Sequence, residues 1–517
     1  MCFFITVISV LALRLIKLQL FPSMQVVNTN EIYQSEKVSN TKFNLIDCNG
    51  KDLLRFKKKY ILVIDKKPFS LNNYEETLEN LLNLNFIMQE ECKNFNFQDV
   101  LKSEGKKYYD ISEEAYNKIK QLNNIKGIYT YEYKELNKKE AWSVEGMITG
   151  QPEKYKIIEG SFDEEIYNYN KDNNENIKNF SLDEKSIYSK ETDVDKNNKI
   201  QLTIDEELQD KIREVLNRDE FEKFKNVGVL LMESDTGAVK AMVQKDETLA
   251  NVNLCIEGMG YEPGSVYKLI TLGGALEEGK VGMNDIFTCT GKICKEGVHG
   301  KITVRDALIK SCNDVFAAIG EKLGYEKLME YSEKLGLFSP VLNMKGEGRN
   351  EASGIKPDED MGMTNISIGQ CITVTPIQVL GFTNAFVNDG VYIKPHIIDK
   401  ILDSGDNVKK QIETQKEKVF SSITSKLVKN TMIDVVSSGT GKKAAVEGTI
   451  VGGKTGSATG SNNTTHGWFT GYFTINNKTY TMTVFVPDIN GIYDMGEEAG
   501  GGNTAAPIFG EIVKEIK

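Results

Sequence analysis

The stretch Val227-Gly-Val-Leu-Leu-Met-Glu-Ser-Asp-Thr-Gly-Ala-Val-Lys-Ala-Met-Val243 reads as two β-strands, 227–232 and 238–243, joined by a turn at Asp235-Thr-Gly237. Its partners lie far along the chain. Gly467-Trp-Phe-Thr-Gly-Tyr-Phe473 and Tyr480-Thr-Met-Thr-Val-Phe-Val486 flank Asn476-Asn477-Lys478 as a second hairpin, and Thr449-Ile-Val451 leads another strand into Lys454. Two strands from one end and three from the other, with helical patterns between, predict an α+β fold. Its centre is an antiparallel five-stranded sheet flanked by helices, with a mostly helical lobe over about 265–440. Asp205 caps a helix to about Leu216, and 505–516 supplies the helix that closes the sheet.

Outward from this domain, 517 residues imply two or three domains, and 40% hydrophobic residues allow sizeable cores. A net charge of −11 argues against nucleic acid as the main partner. Residues 25–160 read as a separate α+β region, with a turn at Asp47-Cys-Asn-Gly50, a strand Tyr60-Ile-Leu-Val-Ile-Asp65 and a helix over 75–89. From 161 to 199 asparagines alternate with Asp, Glu and Lys. So few apolar residues predict a polar linker or loose loop, with a domain boundary near 200. At the start, Cys2 to Leu13 is an uncharged apolar run, followed by Arg14, Lys17 and apolar residues to Phe21. Residues 1–22 are expected to be an uncleaved single-pass membrane anchor with those cations at the interface; the alternative is a buried amphipathic helix.

Three histidines (His299, His396, His466) and scattered cysteines show no zinc-type spacing, so neither a metal nor a cofactor is expected. Cys289 and Cys294 are close enough to form a small loop disulfide or to remain two free thiols.

The chemistry lies in three short segments in fixed order: Ser265-Val-Tyr-Lys268, Ser311-Cys-Asn313 and Lys454-Thr-Gly456. Ser-x-x-Lys also occurs at Ser39, Ser103 and Ser353, but only Ser265 follows a turn signal, Pro263-Gly264, and opens an apolar helical run to Gly279. Positions i and i+3 share a helix face, which sets Lys268 beside the Ser265 hydroxyl. Ser311 follows a helix expected over 302–310, and Lys454 lies on a strand beside the cleft. Bringing a lysine from about 10.4 to near 7, where it can serve as base, takes about 4.6 kcal/mol. A second cation at about 4 Å supplies about 4 kcal/mol at an effective dielectric near 20, and burial acts in the same direction. Hence Ser265 is the candidate nucleophile, Lys268 its base and Lys454 the tuning cation. Ser311 is placed to relay a proton to the leaving amine. Asn313 holds a substrate carbonyl or orders Lys268. Thr455 and Ser457 bind a substrate carboxylate with Gly456 between them, and the backbone N–H groups of Ser265 and Ser457 form the oxyanion hole.

These motifs, with Leu202-Thr-Ile-Asp205, Ile368-Gly-Gln370, Val374-Thr-Pro376-Ile-Gln378, Gly439-Thr-Gly441 and His466-Gly-Trp468-Phe469, make residues 200–517 resemble the transpeptidase domain of class B penicillin-binding proteins, the fold shared with serine β-lactamases. Asp47-x-Asn-Gly50 resembles a turn of that class's N-terminal pedestal, with Cys48 where the family usually has Arg, so 25–160 is expected to be a pedestal or dimerisation-like domain. The resemblance implies D,D-transpeptidation of peptidoglycan stem peptides through a Ser265 acyl-enzyme, acylation by β-lactams, and a monofunctional enzyme of the cell membrane with its catalytic domain outside the cytoplasm. It implies a partner glycosyltransferase and other wall-synthesis proteins, in elongation, division or sporulation alike. A β-lactamase or D,D-carboxypeptidase is the alternative within the fold. It needs a deacylating carboxylate, for which Glu347, Glu351 and Glu359 in the Gly-rich segment 345–362 are candidates. A non-enzymatic scaffold is the alternative outside it.

Overall fold

The computed structural model describes residues 32–42, 44–73, 75–102, 104–136, 162–182, 188–194, 197–246, 260–294, 297–345, 350–460, 464–489, 492–493 and 497–517. The expected anchor, 1–22, lies outside them, and among the described residues no helix is long and apolar enough to cross a membrane. Two compact units form: one from the described parts of 1–42, 55–137 and 173–196, the other from those of 43–54, 138–172 and 197–517.

In the first unit, strand Phe56–Asp65 pairs antiparallel with both Lys106–Ile111 and Ile128–Leu136. Helices Leu78–Glu91 and Glu113–Lys120 cover one face, burying Leu84, Met88, Tyr116 and Ile119 against Leu62 and Ile64. Alternate residues face the other way, and there Val63, Tyr129 and Tyr131 enclose Phe180. Phe180 belongs to the stretch expected to be a linker. That expectation fails: 162–170, which belongs to the second unit, is helical, while in the first unit Ile177–Leu182 and Tyr188–Val194 are strands in a three-stranded sheet with Ile32–Lys37. The asparagines serve as backbone partners, from the loop 171–176 as well as from the end of the helix. Asn170 Nδ2 donates to Ile166 O, Asn173 Nδ2 to Lys42 O and Asn176 Nδ2 to Thr41 O. One buried aromatic and a set of polar side chains matched to backbone acceptors replace the apolar content that the composition lacks.

The second unit runs, after residue 200, through α1 (Glu206–Leu216), β1 (Gly228–Glu233), β2 (Val239–Gln244), α2 (Lys268–Glu277), α3 (Val304–Ile309), α4 (Asn313–Leu323), α5 (Pro376–Val387), α6 (Ser422–Ser438), β3 (Val451–Thr459), β4 (Thr465–Ile475), β5 (Lys478–Ile489) and α7 (Ala505–Ile516). The five strands form one antiparallel sheet in the order β2-β1-β5-β4-β3, as expected. The β4–β5 hairpin turns at Asn476 and Asn477, both at positive φ (51° and 64°), the two-residue turn whose twist suits paired strands.

Period-2 alternation sends Phe469, Phe473, Met482 and Val484 to the face covered by α1 and α7, and Trp468, Tyr472 and Phe485 to the face of the helical lobe. Both faces are therefore buried, which is why β4 and β5 read as nearly continuous apolar runs. On the lobe side α5, buried at every position, lies over a ladder of hydroxyls: Thr470 donates to Thr383, and Thr481 donates to Asn384 Oδ1.

Two local expectations shift, and one open alternative is resolved. The helix expected from 302 begins at Val304, because Ile302 lies in a strand paired with Phe287 and Thr303 caps the helix, its Oγ1 accepting from Asp306 N. The turn Asp47–Gly50 packs with the second unit rather than the first, since Leu45 and Ile46 pair parallel to Ile200 and Gln201. Buried Asp47 organises it: Oδ1 accepts from Asn49 N and Lys51 N, and Oδ2 from Glu206 N at the start of α1. Cys289 and Cys294 are free thiols, their sulfurs 3.7 Å apart.

Candidate active site

Pro263 leads into a 3₁₀ turn, Gly264–Tyr267, that continues as α2 from Lys268. Side chains three apart eclipse in a 3₁₀ turn, so Ser265 and Lys268 share one face. Gly264 sits at φ +53°, and a Cβ there would lie 2.3 Å from Ser457 O. From the other side, a Cβ on Gly456 would lie 2.6 Å from Pro263 O. The two glycines let β3 press its backbone against the turn, bringing Ser457 next to Ser265. Gly456 thus meets a steric requirement of the close approach, and its neighbours Thr455 and Ser457 line the cavity.

The second motif ends α3 in a Schellman motif. Ser311 N donates to Leu308 O and Cys312 N to Ala307 O, with Ser311 at φ +56°. A serine in the left-handed region where glycine is usual marks a strained backbone at a working position. The strain points Ser311 O and Oγ at two lysines. Lys268 Nζ donates to Ser311 O (2.7 Å), Asn313 Oδ1 (2.6 Å) and Ser311 Oγ (3.2 Å). Lys454 Nζ donates to the same Oγ (2.9 Å) and to Thr455 O (2.9 Å). Both lysines are fully buried, and Lys268 Nζ also lies 5.4 Å from the Phe316 ring centre. Asn313 Nδ2 donates to Ile293 O, which orients the amide so that its oxygen faces Lys268.

Above the lysines opens a cavity of about 650 Å³ lined by Ser265, Ser311, Asn313, Thr455 and Ser457. The three segments, up to 189 residues apart, therefore meet at one place. Further lining residues carried no assigned role in the sequence: Thr440, whose hydroxyl is 2.6 Å from that of Thr455, and Lys310, Gln370 and Asn503. Gln370 and Thr440 lie in the segments Ile368-Gly-Gln370 and Gly439-Thr-Gly441, so a signal for them existed; Lys310 and Asn503 had none. Ser457 Oγ accepts from Gly501 N, tying β3 to the loop that carries Asn503.

Among the described residues no carboxylate lines this cavity. Glu351 is buried elsewhere, accepting backbone N–H donors from Val341, Leu342 and Met344; Glu359 is exposed, and Glu347 lies outside the described residues. Behind Asn313, away from the cavity lining, the Asp314 carboxyl is held down at about 2. Burial alone would raise it, but the N–H groups of Ile293 and Thr290 and the Thr290 hydroxyl outweigh that. One expectation is overturned here: the cysteines are not scattered in space. Cys289, Cys294 and Cys312 cluster with His299, and Cys294 and His299 line the cavity.

Comparison with known proteins follows the same lines. The penicillin binding protein transpeptidase domain matches over residues 227–514. The chain is 34% identical over 290 residues to stage V sporulation protein D of Bacillus subtilis, covering 52% of this chain and 44% of that one. It is 28% identical over 371 residues to a peptidoglycan D,D-transpeptidase FtsI homolog of Mesostigma viride, covering 61% of each. The chain thus spans about half the length of the curated relatives it matches. Among solved structures, penicillin binding protein 3 of Mycobacterium tuberculosis, complexed with aztreonam, superposes with a TM-score of 0.62 at 17% identity, over 93% of this chain and 96% of that one, a likeness of fold.

Proposed function

The chain belongs to the penicillin binding protein transpeptidase family, and from that membership we propose that it is a serine D,D-transpeptidase that cross-links peptidoglycan stem peptides. The observation that carries the reading is the convergence of two buried lysines on Ser311 beneath a cavity that Ser265 lines.

Ser311 O and Asn313 Oδ1 can only accept, so Lys268 must donate to both. A neutral amine has two hydrogens for these two acceptors and keeps a lone pair for a hydroxyl proton. Burial and a second ammonium both disfavour the charged form of Lys268. In the forward step Ser265 Oγ attacks the carbonyl of the penultimate D-alanine and passes its proton to Lys268. The oxyanion is held by the backbone N–H groups of Ser265 and Ser457. Collapse breaks the peptide bond, Ser311 relays a proton to the departing D-alanine amine, and an ester on Ser265 remains. The amine of a second stem attacks that ester, forming the cross-link and returning the proton to Ser265. The hydroxyls of Thr440, Thr455 and Ser457 are placed to receive the substrate carboxylate. β-Lactams, carrying the same carboxylate and a reactive amide, would acylate Ser265.

The absence of a carboxylate lining the cavity among the described residues favours a long-lived acyl-enzyme over a β-lactamase. The same reading makes residues 1–22 a single-pass anchor, supported by the apolar run Cys2 to Leu13. It makes 25–160 a pedestal for partner wall-synthesis proteins, a glycosyltransferase among them, and places catalysis outside the cytoplasm. Incubation with labelled penicillin tests it. A stable adduct that is lost in Ser265→Ala supports the transpeptidase, rapid turnover supports a β-lactamase, and no adduct favours a scaffold.

A further inference from the structure

Cys289, Cys294 and His299 come from the 286–303 hairpin and Cys312 from the loop between α3 and α4. Their four ligand atoms lie within 4.8 Å of one another. Cys289 and Cys294 sulfurs are 3.7 Å apart, Cys294 and Cys312 sulfurs 3.5 Å, and Cys289 Sγ lies 3.4 Å from His299 Nδ1. A tetrahedral zinc, with Zn–S about 2.3 Å and Zn–N about 2.0–2.1 Å, requires S···S edges of about 3.8 Å and S···N edges of about 3.6 Å. These three separations meet the edges within about 0.3 Å, and the remaining pairs of ligand atoms lie within 4.8 Å, close enough for small side-chain rotations to bring them onto one ion. A single disulfide, by contrast, would engage two of the three sulfurs and give His299 no part.

We propose that Cys289, Cys294, His299 and Cys312 bind one zinc ion, and that the ion positions the Ser311–Asn313 loop. Binding releases the three thiol protons to solvent. The surroundings are those of a metal site, in which a second layer of groups orients the ligands. Asn313 N donates to Cys294 Sγ at 3.1 Å. Asp314 accepts from Thr290 N, Thr290 Oγ1 and Ile293 N, fixing the turn that spaces Cys289 from Cys294. Cys289 and Cys312 are buried, and Cys294 and His299 open onto the cavity. Cys312 sits between Ser311 and Asn313, the two residues that accept from Lys268. Tying its sulfur down therefore holds both acceptors; this positioning role, unlike the metal site itself, rests on the reading of Ser265 as nucleophile.

The test uses the full chain, purified under reducing conditions and reconstituted with zinc, with metal counted by mass spectrometry. About one zinc per chain is expected, unchanged in the control Cys92→Ser and lost in Cys289→Ser with Cys312→Ser. Substituted cobalt should show thiolate-to-metal charge transfer and tetrahedral d–d bands, a readout independent of whether the variants fold. Chelation should lower Tm and slow acylation by labelled penicillin on the order of 10- to 100-fold, with zinc restoring both. Ser265→Ala should keep its zinc and lose the adduct. A folded chain that forms the adduct but takes up no zinc overturns the metal site. One that binds zinc yet is acylated at the same rate after chelation overturns the positioning role. One that binds zinc and forms no adduct overturns the transpeptidase reading alone.

Discussion

Lys268 and Lys454 donate to the same atom, Ser311 Oγ, at 3.2 and 2.9 Å. As ammonium groups both lysines donate there; once Lys268 is neutral its two hydrogens go to Ser311 O and Asn313 Oδ1, and Ser311 Oγ accepts from Lys454 while its own hydrogen remains a donor. Ser311→Ala removes that donor and the shared acceptor while sparing the nucleophile. Acylation by labelled penicillin should fall by about 10²–10⁴-fold, the usual worth of a proton-transfer group, with the adduct still mapping to Ser265. Stopped-flow acylation and peptide mapping check this.

Lys268→Ala should reduce acylation by a factor of the same order, about 10²–10⁴-fold, and Lys454→Ala should shift its pH dependence as well. If Lys454 holds Lys268 in its neutral form, its removal moves the acidic, rising limb of the acylation profile to higher pH. An unshifted profile in Lys454→Ala would remove the tuning role.

Gly264→Ala places a Cβ 2.3 Å from Ser457 O at a φ of +53°. The obstacle is backbone on both sides, so β3 must retreat from the turn. We expect acylation to fall by about 10²-fold, because a displacement near 1 Å at the reacting atoms has that effect, together with a lower Tm. Thermal melts and acylation kinetics on one preparation test both.

Glu351→Ala strands the N–H donors of Val341, Leu342 and Met344, at roughly 1–3 kcal/mol for each buried donor left unmade. Burial pushes its carboxyl up, against the amides that favour the ionised form. A loss of about 3 kcal/mol or more in unfolding free energy is expected. The lifetime of the penicillin adduct should not change, since Glu351 does not line the cavity; a lengthened lifetime would make it the deacylating group.

Burial lowers the pKa of His396 and of His466, against the raising influence of Asp399 and of Asp488 respectively. The unfolded chain titrates these groups near 6.5. As pH falls below about 6.5 the unfolded state takes up protons first, so the stability these histidines contribute is present at neutral pH and lost toward their lower folded values. Tm should be flat from pH 8 to 7 and decline from about 6.5 down to 5, with a shallower decline in His396→Asn.

Some of this molecule was legible without its fold. The helix expected over 505–516 is Ala505–Ile516, Asp205 caps α1, and both hairpins turn where Asp235-Thr-Gly237 and Asn476-Asn477 stand. These features rest on signals within a few residues: a cap, a φ preference, an apolar alternation. Where a signal had to be averaged over a segment, it misled. The stretch 161–199 looks too polar to order itself, yet Phe180 alone finds Tyr129 and Tyr131, and the asparagines find backbone acceptors that no composition reveals.

By itself the sequence determined the kinds of chemical group present, the order of the three motifs and the strands that make the sheet, because each depends on local backbone preference. Only the tertiary structure decided that Lys268 and Lys454 meet at Ser311, that Gly456 acts by letting β3 close on Pro263, and that three cysteines and a histidine share one point. Those facts depend on elements far apart in the chain coming within hydrogen-bonding or van der Waals distance, and such distances are set by packing, which spacing along the chain does not encode.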